Sequence, residues 1–189
     1  MRRTLWVWVS LAALASGCGA KPKVYWKYPE RSVAVLPPRH VKPEAWQTTW
    51  PLCEQALRDR GFDVLPRDQV EAFMRENRFT LGDELVRTYS VAELLEQFGT
   101  DMVLDTKIDE WDEARTVVVN SFEVALTVEL SNAKGRLWAA QGDYEAGSKF
   151  SIRGAVLGDA KNIAGKAVAK AFKGLHPVPP PSQPQPAAD

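Results

Sequence analysis

Apolar and polar residues alternate in two different rhythms along this chain. "SVAVLPP", Ser32 to Pro38, is a short aliphatic run stopped by two prolines, the signature of a buried strand. In "EAWQTTWPLCEQALRDRG", Trp46, Trp50, Cys53 and Leu57 recur at helical spacing on one face, and Gly61 is placed to end the helix. Pro51 lies inside that pattern; it lacks an N–H and crowds the preceding turn, so a kink or a restart is expected. "FDVLP" predicts a second buried strand. "DQVE" then sets Asp68 and Glu71 at capping-box spacing and predicts a helix to about Asn77, with Val70, Phe73 and Met74 inward. "SVAELLEQFG" repeats the device: Ser90 and Glu93 cap, Leu94, Leu95 and Phe98 bury, and Gly99 terminates. Strands alternating with helices predict a parallel sheet with helical crossovers.

The second rhythm has period two. "DMVLDTKIDEWDE" reads as a strand running to an acidic end. In "TVVVNSFEVALTVELSN", Phe122, Val124, Leu126, Val128 and Leu130 fall on one face and Glu123, Ala125, Thr127 and Glu129 on the other. "NAKG" is a turn, and "RLWAAQGDYEA" returns as the next strand. An antiparallel meander is therefore added to the parallel part. Asp159 opens a last helix to Lys173, with an apolar stripe of Ile163, Ala167, Val168, Ala171 and Phe172, and Gly174 stops it. The expected fold class is α/β: a three-layer mixed sheet with helices, in which parallel βα units precede an antiparallel meander and a C-terminal helix. The α/β domain is expected over residues 31–174. Residues 175–189 hold six of the 13 prolines and predict a disordered Pro-rich tail.

The N-terminus breaks both rhythms. Arg2 and Arg3 precede an uncharged run, Leu5 to Ala15. At about eleven residues it is too short to span a bilayer, which needs about 20, and it fits a secretory signal peptide. "ASGC", Ala15 to Cys18, resembles a bacterial lipobox, in which small residues precede a cysteine that is lipidated and becomes the first residue after cleavage. Ala15 stands where the usual leucine would, with Leu14 one place further back. Residues 1–17 are therefore expected to be a lipoprotein signal peptide, Cys18 the lipidation site, and residues 18–30 a lipidated tether. Tyr25, Trp26 and Tyr28 on that tether suit either a membrane interface or the domain edge. Gly19 follows the cysteine; by resemblance to enterobacterial lipoproteins, the absence of Asp there implies the outer membrane.

Composition removes other classes. Lys plus Arg and Asp plus Glu each count 24, so the basic surplus of a nucleic-acid binder is missing and none is expected as partner. Two cysteines, Cys18 and Cys53, build no disulfide framework. The helical pattern turns Cys53 inward, as a core thiol. His40 and His176 have no cysteine or carboxylate at metal-ligand spacing. There is no Gly-rich phosphate loop after a strand and no G-x-S-x-G elbow. Asp105, Asp109, Glu110, Asp112 and Glu113 form the densest polar cluster; their spacing lacks the glycine and final glutamate of a calcium loop and reads as a solvated strand end. Leu36 to Pro38 reads first as a structural turn and second as a binding edge. No catalytic, metal or cofactor-binding residue, and no cofactor, is expected.

Several segments together carry a resemblance: the lipobox, "VAVLPP", "TWPLCEQALRDRGFDVLP", "LLEQFGTDMVLDTKIDEW" and "VVVNSFEVALTVELSNAKGRLWAAQG". Their order is similar to that of a family of uncharacterised bacterial lipoproteins that includes a neisserial surface antigen. The resemblance covers Cys18 to Gly147 and departs in the Pro-rich tail and the Trp-rich helix. It implies a fold like the amino-terminal domain of TolB, shared with curli-secretion lipoproteins, and it transfers no catalytic residue. What it implies for function is a non-enzymatic outer-membrane lipoprotein facing the periplasm. Such a protein would be an adaptor or assembly subunit of an envelope secretion or surface-assembly system, beside a curli-channel-like lipoprotein. A regulator of peptidoglycan synthesis is the alternative, and a cryptic hydrolase the third. Expected partners are the membrane through the lipid anchor, other envelope lipoproteins, and a second copy of the chain.

Overall fold

The computed structural model describes residues 24–40, 42–79, 88–115, 120–148 and 160–179. The signal segment, Cys18, Asp159 and residues 180–189 lie outside the described residues. The elements are β1 (Ser32–Val35), α1 (Pro43–Arg58), β2 (Asp63–Val64), α2 (Arg67–Glu76), α3 (Val91–Phe98), β3 (Met102–Arg115), β4 (Asn120–Asn132), β5 (Gly135–Ser148) and α4 (Ala160–Phe172). They build a mixed sheet of order β2-β1-β3-β4-β5. β1 runs parallel to β2 and β3, whereas β3, β4 and β5 form the antiparallel meander.

The alternation along each strand sorts the core into layers. Val33, Val35, Met102, Leu104, Leu126 and Leu130 face one way, against Trp50, Cys53 and Leu57 of α1 and Ile163, Ala167 and Phe172 of α4. Leu36 and Val103 face the other way, against Met74 of α2 and Leu94 and Leu95 of α3. All three layers are thus present at the parallel end. β4 buries Phe122, Val124, Leu126, Val128 and Leu130 while the intervening residues stay half-buried, so its alternation is as read.

Four local expectations differ from the structure. "LPP" is not a turn. Pro37 and Pro38 are buried, and the chain rejoins β3 beyond them, where the Arg39 N–H donates to the Thr106 carbonyl at 2.8 Å and the Ile108 N–H donates to the Arg39 carbonyl at 3.1 Å. The prolines lack ladder donors, but their extended backbone keeps the strand direction. Second, α1 passes through Pro51 without a restart. Trp50, Cys53 and Leu57 are all buried around it, and the Trp50 Nε1–H donates to the Val35 carbonyl at 3.0 Å, so packing holds the helix across the missing bond. Third, the "FDVLP" strand is only two residues of sheet edge, with Asp63 exposed and Val64 half-buried; Phe62 is the buried residue. Fourth, α2 opens two residues early, with Pro66 at its N-cap position, so no Asp68–Glu71 capping box forms and Asp68 falls in the first turn, accepting from the Gln69 N–H at 3.1 Å. The Ser90–Glu93 capping box does form, and Gly99 ends α3 in the left-handed region at φ 61°.

Both domain ends reach further than the sequence pattern indicated. Trp26 is buried, on the domain edge rather than along a free tether, and its N–H donates to the Pro177 carbonyl at 2.8 Å. Leu175 and Val178, assigned to a disordered tail, are buried as well. The agent is Arg60. Its guanidinium donates to the carbonyls of Ala56 at 2.7 Å, Phe172 at 2.9 Å and Leu175 at 3.2 Å, while the Val178 N–H donates to the Arg60 carbonyl at 2.8 Å. One cation therefore satisfies the last carbonyls of α1 and α4 together.

α4 lies on the meander through small residues. A Cβ added at Gly142 of β5 would stand 2.1 Å from the Ala167 carbonyl oxygen and 2.7 Å from the Ala171 nitrogen. Gly142→Ala is therefore expected to lower stability by about 1–3 kcal/mol, since the obstacle is helix backbone that cannot step aside. At Gly165, on the same helix, an added Cβ meets nothing within 4 Å. Gly165→Ala should raise stability by about 0.5–1 kcal/mol through helix propensity. Urea unfolding midpoints of the two variants check the contrast; equal shifts would contradict it.

Candidate interaction surface

The chemistry of the domain is concentrated on the sheet face opposite α1 and α4. A bulge between Ile108 and Glu110 inserts an extra residue in β3. That residue, Asp109, accepts from the Thr127 hydroxyl at 2.6 Å and from the Lys107 ammonium at 2.7 Å. Burial works to raise the Asp109 carboxyl, but those two donors together hold it low. Nearby, Arg39 pairs with Asp105 at 2.7 Å. Burial pushes Asp105 up against the pull of Arg39. The acidic cluster is thus only in part a solvated strand end: Asp112 is, at 71% exposure and 3.6 Å from the Lys42 ammonium, whereas Asp105 is at 18%. The side chain of Glu113 lies outside the described residues. Among the described residues, no three His, Cys, Asp or Glu side chains gather as a metal site.

Register then lines up like charges. Asp112 of β3 stands opposite Glu123 of β4, and Glu123 opposite Glu145 of β5. The neighbouring row carries Glu110 and Asp143 on either side of Ala125. Glu110 is the main cause of the raised Glu123 carboxyl, with burial next and then Glu145, Asp143 and Asp112. Directly opposed like charges destabilise a sheet, so this arrangement costs stability.

β5 bounds this face. It runs 14 residues without a proline or a lysine, and Ala139, Gln141, Asp143 and Glu145 stand exposed along it. Among the described residues, no strand pairs with its outer edge. α4 packs along the other face of β5 at Gly142, and its lysines reach the rim, where Lys170 meets Asp143 at 2.8 Å and the Lys166 ammonium donates to the Tyr144 hydroxyl at 3.0 Å. Long unprotected edges are templates for another strand.

The remaining candidates sit apart from this surface. Cys53 is fully buried, as its helical position implied; burial drives its thiol up to about 12, opposed by the Thr106 hydroxyl 3.8 Å away. His40 is engaged locally, its Nδ1 accepting from the Lys42 N–H at 3.0 Å. Sequence reasoning missed Glu54, which is buried on α1 and receives both nitrogens of an Arg67 fork at 2.9 and 2.8 Å. Its only signal was a carboxylate next to an inward cysteine. Arg39 was missed because "LPPR" reads as a loop.

The model of the GNA1162-like lipoprotein family matches residues 25–171. Among solved structures, the fold is similar to the lipoprotein GNA1162 from Neisseria meningitidis, with TM-score 0.54 and 22% identity, covering 64% of this chain and 86% of that one. It is also similar to PelC from Paraburkholderia phytofirmans, a dodecamer, with TM-score 0.52 and 20% identity, covering 83% of this chain and 95% of that one. No curated protein sequence matches.

Two measurements check the electrostatics of the site. Because Glu123 is raised in the folded state, it binds its proton more readily there than in the unfolded chain, and its contribution to stability improves as pH falls through the folded range. Glu123→Gln should therefore stabilise at neutral pH by a few tenths of a kcal/mol, with the gain shrinking in high salt and vanishing below about pH 4. An advantage that persists at low pH would contradict this. Cys53 should react with a thiol reagent on the order of 100-fold more slowly in the native state than in denaturant. Rapid native labelling would place it in a reactive role.

Proposed function

The chain belongs to the GNA1162-like lipoprotein family, and from that membership we propose a lipid-anchored, non-enzymatic subunit of an envelope assembly. The acyl chains sit on Cys18, the domain faces the periplasm from the outer membrane, and copies associate side by side. In this role it is an adaptor or assembly subunit of a secretion or surface-assembly system, working with other envelope lipoproteins.

The observation that carries the reading is the outer edge of β5. Fourteen residues of strand lie at the border of the sheet, with no proline or lysine to discourage pairing. A second copy adding through this edge gains main-chain hydrogen bonds along the strand. The dodecameric state of PelC, a structure of the same fold, is consistent with lateral association. Burial raises the Cys53 thiol to about 12 and the His40 Nδ1 accepts from the Lys42 N–H, so these two side chains do not form a nucleophile–base pair.

Palmitate labelling checks the anchor: Cys18→Ser should abolish it and release the chain from membranes, and unchanged labelling would sink that part. Light scattering on the mature, unacylated chain checks the assembly. A mass above the monomer is expected, falling to the monomer in Ala139→Lys/Gln141→Lys. Monomer mass up to about 100 μM would exclude self-association tighter than a Kd on the order of 10⁻⁴ M, about 5.5 kcal/mol.

A further inference from the structure

A groove of about 350 Å³ lies where the described residues begin. Val24, Tyr25 and Tyr28 line it from the N-terminal segment, Leu137 and Trp138 from the start of β5, and His176 from beyond α4. Val24 and Tyr25 are the large hydrophobic side chains that stand exposed among the described residues, at 60% and 40%. The lining includes one ammonium, that of Lys27, and no carboxylate. This contrasts with the acidic face of the meander.

The groove is held rigidly. Buried Trp26 meets Tyr28 edge-on at 4.9 Å and Phe62 at 5.4 Å, and its Nε1–H donates to the Glu30 carbonyl at 3.2 Å. Aromatic side chains with a polar tip and an apolar body are the residues that settle at the level of lipid headgroups. Residues 19–23 are all that separates Val24 from Cys18, and they include Lys21 and Lys23. Fully extended, that link spans about 20–22 Å, so an acylated Cys18 keeps the groove within that distance of the bilayer.

We infer that this aromatic groove seats on the interfacial layer of a phospholipid bilayer and fixes the orientation of the domain on the membrane. The inference rests on the acylation of Cys18 proposed above. The acyl chains retain the protein, and the groove adds the second contact that sets its tilt. The rival occupant is the Pro-rich segment 180–189. It is disfavoured because the last described residues have already left the groove: the Val178 N–H donates to the Arg60 carbonyl and Gly61 lies against Val178, at the end of α1.

The test uses the full-length acylated protein in vesicles of phosphatidylethanolamine and phosphatidylglycerol. An environment-sensitive fluorophore is attached at Tyr25→Cys; Cys53 is buried and Cys18 is blocked by its lipid. Glu76→Cys, exposed at the end of α2 in the opposite layer, carries the control label. Brominated lipids should quench the Tyr25→Cys label roughly twofold or more and leave the control unchanged, as for an aromatic at the headgroup level. Removing residues 180–189 should not alter the result. An unquenched label on a chain that still carries palmitate would overturn this inference alone. A label that responds to removal of residues 180–189 but not to brominated lipid would assign the groove to the tail and overturn it too. Absence of palmitate from the parent chain would overturn the anchor, and this inference with it.

Discussion

The meander is ordered by a contact at which a side chain is missing. β4 and β5 contribute long strands, but sheets of that length twist and slide unless one face is pressed against something rigid. Here the pressing surface is the Ala164, Ala167 and Ala171 stripe of α4, and Gly142 lets helix backbone rest on strand backbone. Small residues on both sides bring the elements close, and the larger Trp138 and Phe172 fill the space beside the contact, 5.6 Å apart. Without that seat β5 would have one neighbour strand and little else. With it, β5 is a firm border to which, among the described residues, no further strand is added.

The two faces of the sheet are held to different standards. The face toward α1 and α4 is apolar nearly throughout, with Thr106, Thr49 and the ion-paired Glu54 among its buried polar side chains, and it supplies the stability. The opposite face tolerates Asp112, Glu123 and Glu145 in one row, which no stability argument favours. The cost is modest because these carboxylates reach water. Where the same face becomes less accessible, at Asp105 and Asp109, each carboxylate has a cation at 2.7 Å. Burial, not charge, decides where pairing is compulsory.

Elements whose pattern is local were legible in the sequence. The alternation of Phe122 to Leu130, the Ser90–Glu93 box and the small-residue stripe of α4 all appear where the period placed them, because each is set by the geometry of a single strand or helix. What the sequence concealed depends on partners distant along the chain. Pro37–Pro38 looked like a stop, yet β3 offered Thr106 and Ile108 to resume pairing. Pro51 looked like a break, yet Trp50 was already fixed to β1. Leu175 and Val178 looked like tail because prolines surround them, and only Arg60, more than a hundred residues earlier, gives that segment a place to stop. Of the interaction surface, the charges and alternation could be read, but not the register that aligns them or the edge position of β5, since both follow from strand order.

The pairing of Trp26 with Pro177 has a mechanical meaning. A protein held by an N-terminal anchor, as proposed for this chain, is loaded from the side of Val24. Any pull on Val24 reaches the Trp26 N–H and its Pro177 acceptor before it reaches β1. From Pro177 the load passes through Val178 to Arg60, and Arg60 spreads it over the ends of α1 and α4 at three carbonyls. The start and the end of the described fold are thus fastened to each other, so a load applied at Val24 meets this clasp before it meets β1.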